Sequence, residues 1–169
     1  MGFQTTVALQ QGFGVPGELF TDAPYRAQSF TLVSALAAYN IIGATCCTIT
    51  SQGQAEAGSG GTLGFAGILV DPKGQTLIGD GTNPLNPSLV VPNQTQVECL
   101  TMGSVVVTLP GAAAIGDVVI YDDTTGAIST IAPGVALPGG KKYANANVDY
   151  FTVTGAGLAV ITFAAVRTV

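Results

Sequence analysis

Histidine and tryptophan are both absent from this 169-residue chain, and charged residues make up only 9% of it. The missing histidine removes the commonest general base and the commonest zinc ligand together. Without tryptophan, the five tyrosines at positions 25, 39, 121, 143 and 150 are few rings with which to stack on sugars. Lysine and arginine together number five and are scattered, apart from Lys141-Lys142. So thin a supply of cations excludes a nucleic-acid surface. Cysteine is also sparse. Cys46, Cys47 and Cys99 cannot all pair within one chain, and on a strand neighbours 46 and 47 point to opposite faces. They lack any metal-site spacing and are expected to be buried thiols in a reducing compartment.

Two further absences concern membranes. Residues 1–11 contain no Lys or Arg and no apolar h-region, so no secretory signal is expected. Met1–Thr6 fits the short myristoylation pattern, but nothing polybasic follows it. The uncharged stretch Ala27–Ala55 contains a run, Phe30–Ile49, apolar enough to approach a spanning helix. Thr31, Ser34, Asn40, Thr45 and Thr48 interrupt it, Gly43 sits in its second half, and no basic cluster anchors it. No membrane span is expected.

What is present points to strands. The chain is 47% hydrophobic, with a mean hydropathy of +0.49, far too apolar to be disordered. Its length suits one domain, which should bury ~70% of the surface its unfolded chain exposes. Val, Ile and Thr are abundant beside 23 Gly and 9 Pro, a composition of strands and turns. Ten acidic against five basic residues leave a net charge of −5 and a pI near 4.2.

Along the chain, Gly12, Gly14, Pro16, Gly17 and Pro24 break any helix in the first 28 residues. Residues 1–28 read as an extended N-terminal arm, and 29–169 as a single β domain. A terminus so rich in breakers frays unless tied down, by its own sheet or by a neighbouring subunit. Phe30–Thr50 reads as one or two buried strands broken near Tyr39-Asn40, with a helix over Phe30–Ala38 as the alternative. Ser51–Gly61 reads as a flexible surface loop by composition.

Leu63–Val70 is a strand that turns at Asp71–Gly74 and returns through Gln75–Ile78. Gly79–Pro92 is a long loop, and Gln96–Leu109 is strand. Val118–Tyr121 turns through Asp122–Gly126 and returns along Ala127–Ile131. Pro133–Lys142 is another loop. Asn145–Thr154 alternates polar and apolar to Tyr150, then shifts phase at Phe151, the mark of a bulge. Thr154–Gly157 makes a tight turn into a closing strand, Leu158–Val166. About eight short strands joined by turns predict a barrel, sandwich or jelly roll. Strands apolar on both faces need cover on both, from a second sheet or another subunit.

The chain carries no GxSxG elbow, P-loop or GxGxxG fingerprint. Ser59 lies in a loop with no histidine to activate it. Acids beside turns, such as Asp71, Asp80 and Asp122-Asp123, are expected to cap backbone groups. Asn145, Asn147 and Asp149 share a strand face, but one carboxylate is thin for calcium, and a solvated face is expected. Asn93-Gln94-Thr95 is a glycosylation sequon only in a secreted eukaryotic protein. The residues therefore predict no enzyme, no cofactor and no metal.

Three stretches carry a resemblance. MGFQTTV, then Gly14–Glu18 and Pro24–Ala27, resemble the N-terminal arm of tailed-phage capsid cement (head decoration) proteins. GDVVIYDDTTGAIST at Gly116–Thr130 is similar to a hairpin of that family, and GAGLAVITF at Gly155–Phe163 to its closing strand. Phe30–Pro110 matches only in style. The resemblance implies an all-β barrel or jelly-roll-like domain on the outer surface of the virion capsid. It implies as partners the major capsid protein and further copies of itself, as a dimer or trimer, without nucleic acid or membrane. Phe3, Phe13, Leu19, Phe20, Tyr25 and Arg26 of the arm are the expected contacts. A tail or baseplate module, and a receptor- or carbohydrate-binding β-sandwich, are the competing readings.

Overall fold

The strand-forming run Gln96–Leu109 is apolar on both faces at its centre, and the rest of the chain is built around it. A computed structural model describes residues 14–20, 24–71 and 89–164. Among these, the strands are β1 (Arg26–Thr31), β2 (Cys46–Ile49), β3 (Ala55–Ala57), β4 (Phe65–Val70) and β5 (Gln96–Leu109). They are followed by β6 (Val118–Asp122), β7 (Ile128–Ile131), β8 (Lys141–Tyr150) and β9 (Gly157–Phe163). All pair antiparallel, in the order β3-β2-β4-β5-β9-β8-β6-β7, with β1 also on β5.

Strand β5 serves two halves of the sheet. Its first half pairs with β1 on one edge and β4 on the other, both opposite Leu100. Its second half pairs with β9, from Gly103–Phe163 to Leu109–Gly157. The handover falls at Gly103, which has φ 116°, and a Cβ there would lie 2.8 Å from the Cβ of Tyr25. The sheet then curls into a half-barrel that brings the start of β2 beside the start of β7. Thr45 bridges Ala127, the Cys46 N–H donates to the Gly126 carbonyl at 2.9 Å, and the Ile128 N–H donates to that of Ala44 at 3.1 Å. The fold is all-β and barrel-like, one of the three architectures that the turn spacing predicted.

The barrel interior takes residues of β2 and of β4 to β9: Cys46, Ile68, Leu100, Val105, Val107, Val119, Tyr121, Val148 and Ile161 among them. Ala144, Ala146 and Ala159 make room for the rings of Phe65, Tyr121 and Phe163, with centroids 5.7 and 6.1 Å apart around Phe65. Small barrels pair small with large residues in this way. The opposite face of the β2–β4–β5 region carries a second cluster of Cys47, Ala55, Leu69, Val97 and Cys99. Its cover comes from this chain's own loops, through Leu32, Ile42 and Val91. Adjacent Cys46 and Cys47 thus serve different cores, as strand alternation requires.

A polar clasp holds that cover in place. The side-chain amide of fully buried Asn40 donates to the Val91 carbonyl at 3.0 Å and to Asn93 Oδ1 at 2.9 Å. Asn93 Nδ2 donates to the Ser34 carbonyl at 2.7 Å, and Ser34 Oγ accepts from the Ala57 N–H at 2.9 Å. Asn93, notable in the sequence only as part of a sequon, is therefore a structural residue.

Several expectations need correcting. Ser51–Gly61 is not a flexible loop. Ala55–Ala57 is a strand whose alanines are buried, and a Cβ on Gly61 would meet the Ile49 carbonyl oxygen at 2.5 Å. Gly58, Gly60 and Gly61 permit close approach instead of supplying freedom. Phe30–Ala38 is not a helix: Phe30 and Thr31 end β1, and the only helical turn in this stretch is a 3₁₀ turn at Ala37–Tyr39. Lys141 and Lys142, assigned to a loop, begin β8.

The bulge expected near Phe151 is present. The β8–β9 register shifts between Val148 and Tyr150, and Phe151 has φ 67°. The return Gln75–Ile78, Asp80 and most of the Gly79–Pro92 loop lie outside the described residues. Among the described residues, no helix is long and apolar enough to cross a membrane.

Candidate interaction surface

The described part of the arm begins with a reverse turn. In Val15-Pro16-Gly17-Glu18, proline stands second and Gly17, with φ 86°, third, which is the type II pattern. The Glu18 N–H donates to the Val15 carbonyl at 2.9 Å, and Glu18 Oε2 accepts from the Val15 N–H at 3.3 Å. The turn points the following residues along β5. Gly17 N–H donates to the Val106 carbonyl at 2.7 Å, Val106 N–H to that of Glu18 at 2.9 Å, and Phe20 N–H to that of Ser104 at 3.0 Å. Both backbone groups of Val106 go to the arm, which therefore lies on the edge of β5 opposite β9.

Strand alternation then sorts the side chains. Leu19, bridged to Val105, packs against the barrel core. Phe20 points the other way and meets Tyr150 at 5.2 Å and Phe151 at 6.0 Å, the second contact edge-on. Tyr150 and Phe151 are 44% and 41% exposed, so the three rings form an aromatic patch open to solvent. The bulge at the end of β8 places both of its rings there. Ring pairs in such geometry gain ~0.5–1.5 kcal/mol beyond area burial.

Tyr25 lies over Gly103 and is 56% exposed. Arg26, the first residue of β1, donates from Nε to Thr101 Oγ1 at 3.0 Å, and Thr101 Oγ1 donates back to the Arg26 carbonyl at 3.2 Å. Beside them a cleft of about 320 Å³ is lined by Gly17, Glu18, Leu19, Tyr25, Asp71 and Glu98, among others. Of the six residues expected as contacts, the structure brings Leu19 and Phe20 onto the second half of β5 and Tyr25 and Arg26 onto the bend beside it. Phe3 and Phe13 lie outside the described residues. Tyr150 and Phe151 escaped the sequence reading, although the phase shift at Phe151 was the signal for them.

The remaining polar constellations are engaged in holding the fold. Asp122 Oδ1 accepts from the backbone N–H groups of Thr124 and Thr125 at 3.0 and 2.9 Å, and Lys141 Nζ lies 3.0 Å from Oδ2. The Thr125 N–H foremost, then Lys141, holds this carboxyl well below the usual carboxylate range. Asp149 Oδ2 accepts from Thr162 Oγ1 at 2.8 Å, which in turn lies 2.8 Å from Ser104 Oγ. Asn145 and Asn147 stand exposed on the same face.

Ser59 Oγ donates to the Asp123 carbonyl at 3.2 Å. Burial pushes the Cys46 thiol far up, a hydrogen bond with Cys99 followed by burial raises Cys47, and burial takes the Tyr121 hydroxyl up to about 12. Thiols so held are packing groups, since the thiolate is the reactive form.

An arm fastened to a barrel edge and an open aromatic patch are features of a protein that works by binding its neighbours. No curated protein matches the chain. A family model does: that of the structural cement proteins of phages (E217 gp24/Pam3 gp6), over residues 3–164. The match spans the arm and the barrel together, so the chain belongs to the phage structural cement protein family and is a structural protein of the virion.

Proposed function

We propose that this protein binds the outer surface of the phage capsid and cements adjacent capsomers, with residues 1–28 as the contact element and 29–169 as the body that presents it. The aromatic patch of Phe20, Tyr150 and Phe151 supports this reading most directly. It joins arm to barrel and displays rings of the kind that dominate binding energy at protein interfaces. Tyr25 and Arg26 extend the surface on one side, and Phe3 and Phe13, which lie outside the described residues, complete the proposed contact set. Leu19 roots the arm in the barrel core.

The mechanism is thermodynamic. A subunit that binds only the assembled arrangement of capsid proteins shifts the equilibrium toward the shell. A specific interface of this kind buries ~1,200–2,000 Å² in total. If the protein acts as a dimer or trimer, linked contacts on neighbouring capsomers multiply one another through effective concentration. The sparse charge fits, because charged residues are depleted from interface cores.

The test is a chain lacking residues 1–20, mixed with capsids stripped of this protein and sedimented. It is expected to remain folded by circular dichroism and to lose capsid binding. Full binding by the truncated chain would refute the arm as the contact element. Glycan binding through loops would survive the truncation and would favour the receptor-binding alternative.

A further inference from the structure

Among the described residues, four besides glycine have a left-handed backbone: Asp71, Gln94, Asn145 and Phe151. Three are polar. Phe151 alone is apolar, and at φ 67° its bulky side chain is strained. The conformation turns the chain out of β8 after Tyr150 and toward Val153, whose N–H donates to the Ala113 carbonyl at 2.9 Å. Glycine would make this turn without strain. The ring is what glycine would lack, and Phe151 keeps 41% of its surface exposed.

The other two rings of the patch serve the fold. Tyr150 is in register with Val160, and Val160 with Val106. Both valines alternate with core residues and so face outward, yet both are buried. The arm at Gly14, where a Cβ would lie 2.8 Å from Val106 Cγ2, and the rings of Phe20 and Tyr150 roof them. Phe151 stands at the edge of this roof. Its plane lies at 89° to that of Phe20 and 49° to that of Tyr150, while Phe20 and Tyr150 are tilted by 42°. No two of the rings stack face to face, which leaves ring faces for a ligand.

The bulge between Val148 and Tyr150 also sets Asp149 on this outer face. Its Oδ2 accepts from Thr162 Oγ1 at 2.8 Å, and among the described residues no lysine or arginine pairs with it. Lys141 and Lys142 pair with Asp122 and Asp123, and Arg26 bonds Thr101. The patch therefore joins open ring faces, which attract cations, to a carboxylate without a counter-ion. A guanidinium group satisfies both, because it is planar enough to lie on a ring and its N–H groups fork onto a carboxylate. Resting on the capsid reading above, we propose that Phe20, Tyr150, Phe151 and Asp149 form the acceptor for an arginine side chain of the capsid partner. The net charge of −5 favours the approach of such a partner.

The first probe is a peptide with one arginine, acetyl-Gly-Arg-Gly-amide, titrated into the free full-length protein and followed by NMR. Shifts of the Phe20, Tyr150 and Phe151 ring resonances are expected, larger than those from the lysine counterpart and abolished by Asp149→Asn. Ring resonances that do not move would overturn the proposal. The second arm sediments wild type, Asp149→Asn and Phe151→Gly with capsids stripped of this protein. Both variants are expected to stay folded and to bind about tenfold more weakly. Wild-type affinity in either folded variant overturns the proposal. If Phe151→Gly fails to fold, Asp149→Asn decides alone, since it keeps the shape of an exposed side chain. Failure of wild type itself to sediment with capsids would refute the capsid reading instead, and the peptide would then decide the guanidinium site.

Discussion

Asp122 illustrates how much a single turn residue does here. Its carboxylate collects two backbone N–H groups, the Thr125 hydroxyl and Lys141, and so ties the β6–β7 turn to the first residue of β8. Asp122→Asn keeps the shape and removes the charge. It is expected to cost about 1 kcal/mol at pH 7, seen as ~2–4 °C in Tm. Because folding lowers the pKa of this carboxyl, its contribution is complete above the unfolded value near ~3.9 and fades as pH falls toward the lowered one. The Tm difference between wild type and variant should therefore hold at pH 7 and shrink in progressively stronger acid. A difference independent of pH would mean that charge is not the cause.

The cysteines make the complementary point, because burial raises Cys46, the hydrogen bond with Cys99 and then burial raise Cys47, and both stay thiols in two separate cores. Alkylation of native protein is expected to label none of the three within an hour, and all three after denaturation. Rapid labelling of one thiol in the native state would contradict the packing described. Cys spacing in the sequence already argued against a metal site. Alternation separated residues 46 and 47. That Cys47 meets Cys99 was not legible, because it depends on β4 lying between their strands in register.

Among the elements, the arm and β3 show where composition informs and where it misleads. The arm and the Ser51–Gly61 segment around β3 are both rich in glycine. In the arm, Pro16-Gly17 makes a turn that aims Leu19 inward and Phe20 outward, a division that alternation predicts once the pairing with β5 is known. Leu19→Ala is expected to lower stability by about 2 kcal/mol, measured by urea denaturation. Phe20→Ala should cost less than 1.5 kcal/mol yet reduce capsid occupancy more than Leu19→Ala does. The opposite ranking would assign Phe20 to stability and Leu19 to contact.

In Ser51–Gly61 the same composition suggested freedom. There Gly58, Gly60 and Gly61 are sites where Asp123, Glu56 and Ile49 come too close for a side chain. Local composition cannot distinguish a glycine needed for flexibility from one needed for contact, since the contacting residues lie elsewhere in the chain. The bulge ending β8 was readable because a phase shift is itself local.

At the scale of the whole molecule, the curled half-barrel is drawn together by one bridge between Thr45 and Ala127 and is crossed by a strand shared between its halves. Cementing adds a prediction about particles. Quantitative mass spectrometry of purified virions should find this chain at a simple ratio to the major capsid protein, and particles stripped of it should lose their DNA at lower temperature. A few copies per particle would place the protein at the tail or a vertex instead.

The sequence by itself determined the class of protein. Missing histidine, sparse charge, abundant Val, Ile and Thr and regularly spaced turns are local properties, and they sufficed for an all-β domain with a breaker-rich arm. Its motifs at both ends pointed to the cement family. Only the tertiary structure decided that β5 is shared, that Thr45 meets Ala127, and that Phe20, Tyr150 and Phe151 form one patch. Each of these joins segments from about 30 to 130 residues apart. Such contacts are chosen by the packing of the whole barrel, and no local pattern of residues encodes them.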